Sequence, residues 1–190
     1  MSLAGSISNG LQAALLLATG RREGLLLVAP EREAAIRSFW AIAVCFPAFV
    51  CMRLLAWRES GMPADPAHAF AADLLAYVIG WIGYAVLSRE VARALGRERA
   101  WPRYLAVWNW CNVAQYVLLV AASVPALLGA PLWVDQVLQL VAVGWALWLE
   151  WFAARLALTL APLAAAGLVA LDLALGLFLA AASGSLAGGG

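Results

Sequence analysis

The stretch APLAAAGLVALDLALGLFLAAA, residues 161–182, decides the fold class: in 22 positions it holds one charged residue, Asp172. About 20 mostly apolar residues cross a bilayer as a helix. Within lipid the backbone must satisfy its own hydrogen bonds, which a helix does. Four further stretches have the same character: 39–57, 69–87, 104–128 and 133–154. The chain therefore reads as an all-α integral membrane protein, a bundle of five transmembrane helices over residues 39–183. Spans four and five are joined by only 155–160, and Pro162 stands where a new helix would begin. One continuous helix there would exceed ordinary lengths, so two are expected.

Composition agrees. Of 190 residues, 65% are hydrophobic and 12% charged, and the mean hydropathy is +0.87. Soluble domains hold about 45–50% apolar and about 25% charged residues. An ordinary soluble protein is excluded, as is a disordered chain, which needs low hydrophobicity and high charge. A net charge of +1 gives no electrostatic basis for binding nucleic acid. Cys45, Cys51 and Cys111 fall inside apolar runs without C-x-x-C spacing. They read as small buried hydrophobes, with no metal or disulfide framework.

All twelve basic residues are arginine. Four lie before the first span and five in the second loop, at Arg89, Arg93, Arg97, Arg99 and Arg103. With Arg155, one face of the membrane receives ten loop arginines and the other receives one, Arg58. Cytoplasmic loops carry the positive excess. The N-terminus is thus expected inside and the C-terminus outside, in a bacterial inner membrane. An odd number of spans is required for that. Trp40, Trp101, Tyr104, Trp148 and Trp151 fall at the expected inner interface, and Trp57 and Trp133 at the outer one.

Residues 1–38 differ in kind. Gly10, Gly20, Gly24 and Pro30 divide them into short apolar pieces, 11–18 and 25–29, neither long enough to span. They are expected to form an amphipathic element at the headgroup surface. Nothing positive precedes Arg21, so a secretory signal is not expected. The Gly/Ser-rich residues 184–190 read as a flexible tail. Arg89, Arg93 and Arg97 share a helical face, so 89–103 is expected to form a short amphipathic helix. It serves either as a lipid or partner surface or simply as a topology signal.

Polar groups in the membrane are costly and turn toward the bundle interior or a partner. Arg53 and Asp73 lie near the outer ends of consecutive spans, where they either pair or Arg53 snorkels outward. Asn109 and Glu150 sit in the inner third of their spans. Asn112 and Gln115 share a face that reaches toward Asp172, which lies near mid-membrane. Asp172 shares a small-residue stripe with Ala165, Gly176 and Ala180, so close helix packing is expected there. It reads first as a hydrogen-bonded clamp, then as a proton- or ion-binding carboxylate, then as a contact to another subunit. The cluster 108–112 reads as helix packing. Asp73, Glu150 and Asp172 are expected at three different depths, which disfavours a carboxylate dyad.

Little catalytic chemistry is present. His68 is the single histidine, too few for a bis-histidine haem or a histidine zinc site. No Gly-rich phosphate loop, H-E-x-x-H or G-x-S-x-G occurs. The sequence therefore points away from an enzyme and implies no cofactor.

Residues 38–40 opening span one, 107–110 in span three and 150–155 closing span four resemble Yip1-domain membrane proteins, specifically their small bacterial relatives. The resemblance covers roughly residues 35–183. It implies a non-enzymatic protein acting through lipids or other membrane subunits, such as an accessory subunit of a larger complex. The long polar N-terminal region of the eukaryotic members is missing, so their Rab-GTPase partnership does not transfer. The all-arginine, Ala/Leu-rich composition points to a GC-rich bacterial genome. The rival expectation, from another class, is a small oligomeric transporter or channel using Asp172.

Overall fold

The structure is a computed structural model and describes residues 3–188. Seven helices are formed: α1 (Leu3–Ala18), α2 (Arg32–Ser38), α3 (Trp40–Ser60), α4 (Pro66–Ala94), α5 (Trp101–Leu127), α6 (Leu132–Ala157) and α7 (Pro162–Gly188). Short 3-10 turns at Arg22–Leu27 and Glu98–Ala100 complete the chain, and no strand occurs among the described residues. Five helical stretches, built on α3 to α7, are long and apolar enough to cross a membrane.

Local signals set the helix ends. The Asp65 carboxylate accepts from the His68 backbone N–H at 3.0 Å and Pro66 opens α4, an N-cap followed by a preorganised first residue. Gly96, at φ +69°, turns α4 into α5, a conformation that costs glycine little. This reversal replaces the separate amphipathic helix expected over 89–103. Arg89 and Arg93 belong to the last turns of α4, and Arg103 to the first turn of α5. The 184–190 tail is corrected as well: α7 stays helical through Gly188, and residues 189–190 lie outside the described residues. Ala, Leu and Ser between its glycines support helix well enough to carry it on.

α5 is the hub. It packs on α6, α1, α2 and α3, while α7 packs on α4 and α6. One core joins α3, α4, α5 and α7 around Phe49, Tyr77, Trp81, Tyr84, Tyr104, Trp108 and Leu168. A second joins α1, α5 and α6 around Ala13, Leu17, Val107, Cys111, Leu149 and Ala153. Large apolar side chains such as Leu140, Leu163, Leu177 and Phe178 point outward. Such a surface suits hydrocarbon and would be a liability in water.

The N-terminal segment is better built than expected. Gly10 does not break it: α1 is one continuous 16-residue helix. Ala13, Ala14 and Leu17 are buried. Gly10 seats against the indole of Trp110, nine residues into α5, or roughly 13 Å along its axis. The helix therefore lies alongside the bundle instead of resting only at its end. Arg103 clamps the returning chain, donating to the carbonyls of Val28 at 3.0 Å and Leu25 at 2.6 Å. That arginine is therefore an internal clamp. Arg103→Gln is expected to cost about 2 kcal/mol of docking, the scale of charged hydrogen bonds. Faster limited proteolysis within residues 19–31 would register the loss.

Candidate site: an intramembrane cavity with paired carboxyl groups

Three faces of α5 serve three neighbours, because side chains three and four apart share a helical face. Trp108, Asn112 and Tyr116 point into a cavity bounded by α3, α4, α5 and α7. Val107 and Cys111 turn toward α6 and α1. Asn109 turns toward α2, where its amide donates to Ser38 Oγ at 2.7 Å. Asn109 thus stands apart from Asn112, and its buried Oδ1 has no partner among the described residues.

The cavity has a volume of about 420 Å³, within the range of small-molecule sites, ~300–1,000 Å³. At the end away from the α4–α5 turn, Arg53 and Asp73 form an ion pair at 3.4 Å. This decides between the two readings of Arg53 in favour of the pair. Asp73 is the more buried partner, at 14% side-chain exposure against 37% for Arg53. Asp172 also lines the cavity, with Gly176, Ala180 and Ser183 following along α7.

Behind that wall, one indole joins two carboxyl groups. Trp108 Nε1 donates to Asp172 Oδ2 at 3.3 Å and to Glu150 Oε1 at 3.3 Å. One N–H serves both acceptors, so the two carboxyl groups are neighbours across the indole edge. The separate depths expected for Glu150 and Asp172 are therefore corrected: the fold brings them together. Gln115, farther along α5, donates to the Ala146 carbonyl of α6 at 3.1 Å. Asn112 donates to the Trp108 carbonyl at 3.0 Å. Two negative charges at this range repel strongly where the dielectric is low. The pair is electrostatically complete when it shares a proton or faces a positive guest.

The small-residue stripe on α7 divides: Ala165 is fully buried in the first core, as close packing expects, whereas Gly176 and Ala180 line the cavity. No atom lies within 4 Å of a Cβ placed on Gly176, which borders the cavity. Helix contact is made instead by Leu175 and Leu179, set over Gly83 and Gly80 of α4. Two glycines on α4 thus give α7 its close approach, as small residues do in membrane bundles.

The sequence reading missed the aromatic lining. Rings form a connected line: Trp57–Phe70 at 6.4 Å between centroids, Phe70–Phe49 at 6.1 Å, Phe49–Tyr77 at 4.5 Å and Tyr77–Trp81 at 6.1 Å. It continues through Trp81–Trp108 at 5.3 Å to Trp108–Tyr84 at 4.4 Å. The Tyr84 and Tyr104 hydroxyls bond to each other at its buried end. These rings fix the Trp108 indole, and with it the donor that both carboxyl groups use.

The other arginines of the α4–α5 turn gather at the opposite end. Arg89 pairs with Glu98 at 3.3 Å and Arg93 with Glu90 at 2.8 Å. Arg97 and Arg99 are exposed. No protein-family model, curated protein or solved structure matches this chain.

Proposed function

We propose that this protein is a non-catalytic inner-membrane protein that admits a small solute to the α3–α4–α5–α7 cavity, as a small transporter does. The observation that carries the reading is Asp172, an intramembrane carboxyl on the wall of a polar-ended cavity. Intramembrane ionisable groups of this kind mark solute and proton paths. A single chain builds the cavity, so subunit association is not needed to form it. The positive-inside rule places the α4–α5 turn in the cytoplasm. The Arg53–Asp73 pair then faces the periplasm, and the solute enters from that side.

Cysteine labelling tests this in a cysteine-free background. Ala180→Cys is expected to react with a membrane-impermeant thiol reagent added outside intact spheroplasts. Leu177→Cys, 64% exposed on the outer surface of the same helix, is expected to stay unlabelled within lipid. An Ala180→Cys that reacts from neither side would overturn the reading.

A second reading follows the Yip1-domain likeness, with the protein acting through lipids or other subunits. It is favoured by the exposed Arg97 and Arg99 beside Trp101 at the expected cytoplasmic interface, where anionic headgroups would attract them. It predicts anionic lipid retained in native mass spectrometry and lost in Arg97→Ala/Arg99→Ala. Equal retention by the variant would remove it.

A further inference from the structure

The cavity lining specifies more than a solute. Its walls include Phe49, Tyr77, Trp81, Trp108 and Tyr116, five aromatic side chains contributed by three helices. Its charges do not balance. The Arg53 guanidinium is occupied by Asp73. Among the described residues no basic side chain forms an ion pair with Asp172 or Glu150. An anionic guest would meet Asp172 and the second carboxyl behind it. A neutral guest would leave a shared proton as the pair's only positive charge.

A positive guest can be an inorganic ion or an organic ammonium group, and the lining distinguishes the two. Hard cations such as calcium and magnesium require about six or more oxygen ligands. The described residues contain no group of three or more His, Cys, Asp or Glu able to hold a metal ion. Several of the nearby polar groups are already engaged. The Tyr77 hydroxyl donates to the Ile42 carbonyl at 2.8 Å, and the Ser183 hydroxyl donates to the Ala180 carbonyl at 3.1 Å. The lining instead supplies aromatic rings beside a carboxyl group. That combination recognises alkylammonium groups, whose diffuse charge is attracted to ring faces and whose carbon surface needs no hydration.

We propose that the cavity binds an organic ammonium cation, with its charged head at Asp172 and its carbon skeleton among the aromatic walls. This rests on the solute-binding reading above and names the ligand class for the same site. The bound cation would take the place of a shared proton as the counter-charge of the Glu150–Asp172 pair. Arg53 at the cavity mouth sets a boundary, since its positive charge disfavours a second cationic group at that end.

The test uses the full chain in lipid nanodiscs and isothermal titration. The probes are choline, benzyltrimethylammonium, tetraethylammonium and the uncharged choline isostere 3,3-dimethylbutan-1-ol. At least one cation is expected to bind, and choline about tenfold or more tighter than its isostere. Asp172→Asn is expected to weaken the bound cation about tenfold. Trp81→Phe and Tyr116→Leu, which leave the carboxyl pair in place, are expected to weaken it several-fold. They keep the test decisive if Asp172→Asn does not fold. The class is overturned if no cation binds, if the isostere binds equally well, or if sodium or potassium competes at matched concentration. It is also overturned if neither aromatic variant changes affinity. Labelling of Ala180→Cys separates the failures. A labelled site that binds no ammonium sinks the class alone, and a shielded site sinks the cavity reading beneath it.

Discussion

Gly10→Ala is expected to loosen α1 from the bundle. A Cβ at residue 10 would lie 2.3–2.4 Å from Cε2, Cδ2 and Nε1 of Trp110. Carbon contacts settle near 3.5–4.0 Å, so one of the two helices must move. The indole is a poor candidate to yield, being rigid and only 3% exposed. The adjoining void, lined by Ser6, Asn9, Arg37 and Ser38 among others, is about 30 Å³, too small to receive a displaced ring. Two opposed effects set the magnitude. Alanine gains about 1 kcal/mol over glycine in helix propensity, while overpacking costs about 1–3 kcal/mol and at times more. The second wins here because the contact is rigid on both sides. Gly10→Val carries the same clash with two further methyl groups, and it is expected to release Ala13, Ala14 and Leu17 from the second core. Limited proteolysis within 19–31, together with the thermal midpoint in detergent, would report the change. Gly144→Ala is the control, since nothing lies within 4 Å of a Cβ there. Equal behaviour of the Gly10 and Gly144 variants would refute the packing described for α1.

Gly10 also shows which information a linear reading discards. Read along the chain, glycine is a helix breaker, a local property. Here its use is the absence of a side chain opposite Trp110, a residue 100 positions away. The spans were legible because solvent dictates them: lipid demands about 20 apolar residues in helix, whatever packs beside them. The Arg53–Asp73 pair was legible for a related reason, since each sits near the same end of a consecutive span. Glu150 and Asp172 were misplaced because each was measured as a fraction of its own span. Counting from the shared turn at Leu158 to Ala161 does better. Glu150 lies eight residues before Leu158 and Asp172 eleven after Ala161, a mismatch of roughly 4.5 Å along the axes. Two carboxyl side chains and one indole bridge that distance. The α4 part of the aromatic line, Phe70, Tyr77, Trp81 and Tyr84, has one-face helical spacing, but Phe49 and Trp108 join it from two other helices, so the connected line is not legible in any one of them. The small-residue stripe on α7 predicts a packing face, which holds at Ala165, while farther along the helix the glycines that make the contact are Gly80 and Gly83 on α4.

Trp108 is where fold and site depend on one side chain, and its truncation is expected to have the largest effect on stability. Trp108→Ala removes the ring stacked on Tyr84 and set edge-on to Trp81, together with the N–H shared by both carboxyl groups. Loss of a buried aromatic to alanine costs about 3–5 kcal/mol, before the polar loss is added. Trp108→Phe separates the two contributions, since it keeps an aromatic ring and deletes the donor. Leaving buried acceptors unmet costs about 1–3 kcal/mol in proteins generally. Interhelical hydrogen bonds within membranes average nearer ~0.6 kcal/mol, so the lower part of that range applies. A double-mutant cycle with Asp172→Ala tests whether the indole acts on the carboxyl. If it does, Trp108→Phe costs about 1 kcal/mol less when Asp172 is already absent. Reversible unfolding in mixed micelles measures all four corners of the cycle. Strict additivity would mean that the indole does not act on Asp172, leaving its N–H to Glu150 and its ring to packing.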